Sequence, residues 1–208
     1  MSKYGHRTGN WHEAIVNKLG GEEAADRFLR GENTVSKPPR SWREQDGVIY
    51  FLVTSDGTTG PAWIKRLEKK SFGMSDYTKS VLCSPDFKPT TGVMTIAVLK
   101  GILFKNNDRV IKKIRAEADR RNLIKPNAEV ACLIRENLSD EEIKVTGLGK
   151  IIVMHEPIKG SDGGMDLLCV NHFIEGHALN AYADSNIDVE MLFNTGFAFI
   201  LSQVGSQS

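Results

Sequence analysis

The residues whose types could do chemistry fall into two main groups. The segment TSDGTTG carries hydroxyls on Thr54, Ser55, Thr58 and Thr59, and its glycines, Gly57 and Gly60, admit a ligand close to backbone N–H groups. Between a strand and a helix, such a loop is an anion-binding candidate, and Asp56 or His155 would serve a bound phosphorylated small molecule as acid or base. It matches neither GxxxxGK[ST] nor GxGxxG, and a plain turn uses the same residues. The second group is Arg109, Lys112, Lys113 and Arg120, a cationic row on one helix of the kind that contacts phosphates, which makes it a nucleic-acid candidate. A solvated, salt-bridged face is the competing reading, since Glu117–Arg121 and Arg115–Asp119 stand at i, i+4. The other basic stretch, Lys65 to Lys70, has no interleaved aromatic for base stacking.

Other constellations are weaker. His155, Glu156, Asp162, Asp166, His172, Glu175 and His177 are dense in metal-ligand types, but their spacing fits neither HExxH nor a zinc finger. On a regular strand His155 and Glu156 would face opposite ways. Asp184, Asn186, Asp188 and Glu190 imitate the start of a calcium loop, yet Val189 and Thr195 stand where its glycine and bidentate glutamate belong. There is no GxSxG, and Cys169 near His172 reads as a strand thiol rather than a nucleophile. No metal and no cofactor is expected.

Several elements must position these groups. Trp11, Ile15, Val16 and Leu19 recur at helical spacing, and a second short helix ends at Gly31. Residues 1–46 therefore read as a helical appendage and linker, with residues 47–208 as the main domain. VIYFLVTS is a β-branched, aromatic strand, followed by a helix opening at Pro61 with Trp63, Ile64 and Leu67 as its apolar stripe. A short helix near Asp76–Cys83 and a strand about Met94–Lys100 follow, and strand, helix, helix, strand predicts a parallel right-handed crossover. The helix carrying the cationic row spans about Asn107–Asn122, with Val110, Ile111, Ile114 and Ala118 facing the core. Asn127 is a candidate cap for the next helix, and Ser139 with Glu142 forms a capping box for another. KIIVMHEPI and MDLLCVN are strands joined by the hairpin KGSDGG, and GFAFILSQV is the last strand. The expected fold is α+β: a mixed sheet of about five strands packed by helices, with the N-terminal helical appendage.

The phrases TSDGTTGPAWIKRLEKK, SPDFKPTTGV, AVLKG, RAEADRRNL, PNAEVACLIRE, VMHEPIK and GFAF resemble a group of uncharacterised bacterial proteins, over roughly Gly47–Lys159 and the last strand. The resemblance implies no activity, cofactor or partner. NHFIEGHALNAYADSN departs from the group's pattern, so no shared site at His172 or His177 is implied.

Composition bounds the rest. The 208 residues are 40% hydrophobic and 25% charged, which excludes collagen-like and wholly disordered chains. A formal net charge of +1 gives no global field toward nucleic acid or membrane. No apolar run is long enough to span a bilayer, the amino end lacks a signal-peptide core, and Cys83, Cys132 and Cys169 read as reduced, buried thiols. A cytoplasmic protein is expected. With no catalytic constellation, the first reading is a non-enzymatic binding domain that recognises a protein or nucleic-acid partner through the basic faces of the helices at 61–72 and 107–122. The alternative is an enzyme acting on a phosphorylated small molecule held by Thr54–Gly60.

Overall fold

The computed structural model describes residues 9–32, 41–172, 179–183 and 192–202. The chain divides into two compact units, Met1–Arg40 and Ser41–Ser208. In the first, helices α1 (Gly9–Leu19) and α2 (Glu22–Leu29) are separated by Gly20 and Gly21, both at positive φ. No helix among the described residues is long and apolar enough to cross a membrane.

The second unit is α+β. Its strands are β1 (Trp42–Gln45), β2 (Val48–Asp56), β3 (Thr91–Lys100), β4 (Leu123–Ile124), β5 (Lys150–Val153), β6 (Ile158–Lys159), β7 (Met165–Asn171), β8 (Leu179–Ala183) and β9 (Thr195–Leu201). They form one nine-stranded sheet rather than one of about five, ordered β1-β2-β3-β9-β5-β7-β6, with β4 on β9 and β8 on β7. The sheet is mixed: β5 and β9 pair parallel, and the other named pairs are antiparallel. The helices are α3 (Gly60–Lys69), α4 (Asp76–Leu82), α5 (Ile111–Arg120), α6 (Glu129–Asn137) and α7 (Asp140–Val145).

Side-chain alternation along the strands separates two apolar layers. Ile49, Phe51 and Val53 of β2, with Ile96 and Val98 of β3, meet Trp63 and Leu67 of α3, Val81 and Leu82 of α4 and Val130–Ile134 of α6. On the other face, Val48, Ala97, Leu99, Phe197 and Phe199 meet Ile111, Ile114 and Ala118 of α5. Each helix is thus fixed by its apolar stripe, and its charged face is left to do something else.

Four expectations need correction. First, β2 and β3 pair antiparallel, Val48 opposite Leu99 and Asp56 opposite Thr91, not parallel. The physical reason lies in α3 and α4. They fold back on each other, so the end of α4 meets the start of α3; a Cβ on Gly60 would lie 1.8 Å from the Leu82 carbonyl oxygen. Two helices whose advances cancel return the chain to the end of the sheet it left, where only an antiparallel strand can begin. Second, Trp42–Gln45 is a strand rather than linker. It pairs with β2 through a two-residue turn, Asp46 at φ 50° and Gly47 at φ 73°, the left-handed pair that suits a tight hairpin, and Trp42 enters the core. The main unit therefore begins at Ser41 and not at residue 47. Third, the helix expected over 107–122 starts later: Asn106–Asp108 is a separate 3-10 turn, and Val110 is the N-cap of α5. Fourth, α6 begins after Ala128, while the Asn127 amide donates to Thr90 Oγ1 at 3.3 Å. The Ser139–Glu142 capping box on α7 forms as the spacing predicts. Cys132 and Cys169 are buried, but Cys83, expected to be buried, is exposed because it is the C-cap of α4 and lies beyond its last turn; all three are free.

Candidate functional site: a basic groove along α5 and the loop after β2

The segment that leads from β3 into α5 and the Thr54–Gly60 loop start from opposite ends of β2. Lys100 N–H donates to the Gly47 carbonyl at 3.1 Å, so the segment after β3 begins beside the β1–β2 turn. The Thr54–Gly60 loop leaves from the far end, about 30 Å away at about 3.3 Å per strand residue.

At the loop, the place an anion would take is filled from within. Asp56 accepts from Thr58 N at 3.1 Å and from the Thr58 hydroxyl, and Arg66 of α3 donates to its other oxygen at 2.6 Å. The Thr58 hydroxyl bond, then Arg66, hold the Asp56 carboxyl down to about 2. Arg66 and Lys70 also pair with Glu136 of α6, and Arg66 lies 4.5 Å over the Trp63 ring. Behind the loop, Ser55 turns inward. Its hydroxyl is 2.8 Å from Glu129 Oε2 and also touches the Thr90 carbonyl. Glu129 is 0% exposed and accepts from Trp63 Nε1 at 3.1 Å and Thr90 N at 2.9 Å. Gly60 is a close-approach position against Leu82. Thr59 is the N-cap of α3 without a side-chain cap bond, and Thr54 lies in β2 opposite Val93. Two carboxylates beside the loop oppose a phosphate by like charge.

His155 is 1% exposed, and both ring nitrogens are engaged. Nε2 accepts from Leu168 N at 2.8 Å, so Nδ1 carries the proton and donates to the Glu156 carbonyl at 2.6 Å. Burial, with some help from Arg115, lowers its pKa to about 4. The registers align Val153, Ala198, Val98 and Ile49 across the sheet. From that row, three strand spacings of about 4.8 Å and a stagger of five residues place Asp56 and His155 about 22 Å apart. A single small substrate does not reach both.

The remaining metal-ligand types are also dispersed. Glu156 pairs with Lys125, His172 Nδ1 is 3.1 Å from the Gly149 carbonyl, and the Tyr77 hydroxyl lies 2.8 Å from Asp162 and 2.5 Å from Asp166. Those two carboxylates, Asp166 foremost, push the Tyr77 hydroxyl up. Among the described residues no group of three or more His, Cys, Asp or Glu is placed to hold a metal. Glu175, His177, Asp184, Asn186, Asp188 and Glu190 lie outside the described residues. Burial pushes the Cys169 thiol up to about 11, far from a nucleophilic thiolate.

The cationic row is divided. Arg109 is only 8% exposed and donates to Asn106 Oδ1 at 2.9 Å, which removes it from the face. Lys112 is exposed on α5. Lys113 and Arg120 line a groove of about 610 Å³ between α5 and the segment that follows β3. Its other walls are Lys105 and Arg121, two more cations, the apolar Leu103, Phe104 and Ala116, and the acidic Asp108 and Glu117; of these, sequence reasoning named Glu117 and Arg121, as the i, i+4 ion pair that forms. The members on α5 and its C-cap, Lys113, Ala116, Glu117, Arg120 and Arg121, follow i, i+3, i+4, i+7 and i+8, one stripe of a helix. That signal was legible; the contribution of residues 103–108 was not, because it depends on where β3 ends. Glu117 is shared by Arg120 and Arg121, each at 2.6 Å, and Arg120, then Arg121, hold its carboxyl down to about 2. Lys113 pairs with Asp108, whereas no carboxylate among the described residues pairs with Lys105.

Comparisons with protein-family models, with curated proteins and with solved structures found no match.

Proposed function

We propose that this chain is a non-enzymatic binding domain that receives an anionic partner in the groove along α5. The observation that carries the reading is the groove's charge: four cationic side chains, Lys105, Lys113, Arg120 and Arg121, against two carboxylates, in a protein whose net charge is only +1. A local excess of this kind concentrates anions where a global field would not. The alternative, an enzyme on a phosphorylated small molecule at Thr54–Gly60, has no comparable support, since Asp56 is tied to Thr58 and Arg66 and the ring nitrogens of His155 are both engaged.

The test is binding of fluorescent polyanions, inorganic polyphosphate and short oligonucleotides, at low and moderate salt. Binding is expected to weaken with salt and to be lost in a Lys113→Glu, Arg120→Glu variant, while Lys65→Gln on α3 leaves it unchanged. Equal binding by the charge-reversed variant, or no binding of any polyanion at low salt, removes the reading.

A further inference from the structure

The rim of the groove explains an anion, but its floor asks for more. Leu103 and Phe104, half-buried against the core, and the exposed Ala116 give it apolar surface beside the cations, and Phe104 is held edge-on against Phe197, ring centroids 6.1 Å apart. Inorganic phosphate or a carboxylate would leave that floor in water. A ligand that uses rim and floor together alternates negative charge with flat apolar faces.

We infer that the groove takes single-stranded nucleic acid, phosphates on Lys105, Lys113, Arg120 and Arg121 and a base against Leu103, Phe104 and Ala116. The inference rests on the reading of the groove as an anion-binding surface. The dimensions agree. The α5 stripe from Lys113 to Arg121 is about 12 Å long at about 1.5 Å per residue, the length of three to four stacked nucleotides at about 3.4 Å each. The groove is open, and its volume of about 610 Å³ has room for a nucleotide-sized group along α5. A duplex turns its phosphates outward and hides its base faces, so it could meet the rim but not the floor. An acidic helix would need apolar anchors over two turns, more than three side chains supply.

The carboxylates do not close the groove to phosphate. Arg120 uses Nε and Nη2 on Glu117, and Arg121 uses Nε, which leaves N–H donors of both guanidinium forks uncommitted. Glu117 orients the two forks and keeps the net attraction modest. Net of the carboxylates Asp108 and Glu117, the four cations neutralise about two phosphates, giving a slope of log K against log salt of about −1.4.

The experiment compares three probes of matched charge on the full chain: a fluorescent oligouridylate, an abasic oligonucleotide and inorganic polyphosphate. The base-bearing strand is expected to bind at least about fivefold more tightly than the abasic one, the smallest effect of one stacked base. Phe104→Leu, which retains apolar bulk beside Phe197, should narrow that difference, and Arg120→Gln should reduce the salt slope by about 0.7 without narrowing it. Equal affinity for all three probes overturns single-stranded nucleic acid as the ligand and leaves an anionic partner standing. Binding to none of them overturns both.

Discussion

Glu129 gives the sharpest test of how the loop end of the domain is held together. Its carboxylate is 0% exposed; Oε1 accepts from Trp63 Nε1, and Oε2 accepts from Thr90 N and lies 2.8 Å from the Ser55 hydroxyl. Glu129→Gln retains size and one carbonyl oxygen but puts an NH2 where the other oxygen was. Whichever way the amide is turned, the Trp63 indole N–H or the Thr90 N–H faces another donor. A buried donor left unsatisfied costs about 1–3 kcal/mol. Removal of a buried charge offsets part of this and favours the lower half of the range. For a unit of this size the expected fall in Tm is about 2–8 °C. Glu129→Leu leaves both N–H groups unpaired and should cost more than glutamine. In a Trp63→Phe background the indole donor is gone, so glutamine can turn its oxygen to Thr90 and its cost should shrink by about 1 kcal/mol or more. Urea unfolding followed by far-ultraviolet circular dichroism, with unchanged m-value, measures all four corners of the cycle. A Glu129→Gln variant as stable as the parent, or one whose cost is the same with Phe at 63, refutes the reasoning.

Three further outcomes are expected. His155 is neutral in the fold with its pKa lowered to about 4, whereas the unfolded chain binds a proton near pH 6.5, so its contribution is full above pH 6.5 and is lost as pH falls through 4. That loss is on the order of 3 kcal/mol, and a His155→Gln variant, measured by urea unfolding across pH 4–7, should lack it. Asp56, held down to about 2 by Thr58 and Arg66, stabilises the fold above the ordinary carboxylate range and loses that effect as pH falls through 2. Carbon-detected NMR titration should find its midpoint near 2, and an Arg66→Gln variant should move it upward; a midpoint near 4 in the parent contradicts the ion pair. Gly60→Ala forces a Cβ into the Leu82 carbonyl and should cost at least about 3 kcal/mol, visible as a large loss of Tm with the hairpin of α3 and α4 displaced.

Much of the local structure was legible before the fold was known. The strand 48–56, the apolar stripe of Trp63 and Leu67, the capping box of Ser139 and Glu142 and the hairpin at Gly160–Gly164 each depend on neighbours within a few residues. The hairpin of β1 and β2 was equally local, since Asp46-Gly47 between alternating residues is a turn signal, but the polar stretch before it masked a strand of four residues. The direction of β3 was not legible. It depends on the relative angle of α3 and α4, and that angle is set by contact between Gly60 and Leu82, twenty-two positions apart.

The candidate sites divide in the same way. The sequence by itself determined which side chains could carry charge or accept protons, and the helical period put Lys113, Glu117, Arg120 and Arg121 on one stripe of α5. Only the tertiary structure decided which remained available. It buried Arg109 and His155, gave the Asp56 carboxylate to Thr58 and Arg66, and laid Lys105, Leu103 and Phe104 along α5 to make a groove. The physical reason is that a residue's type and period are properties of a short segment, whereas its desolvation and its partners are set by elements that meet only when the sheet assembles.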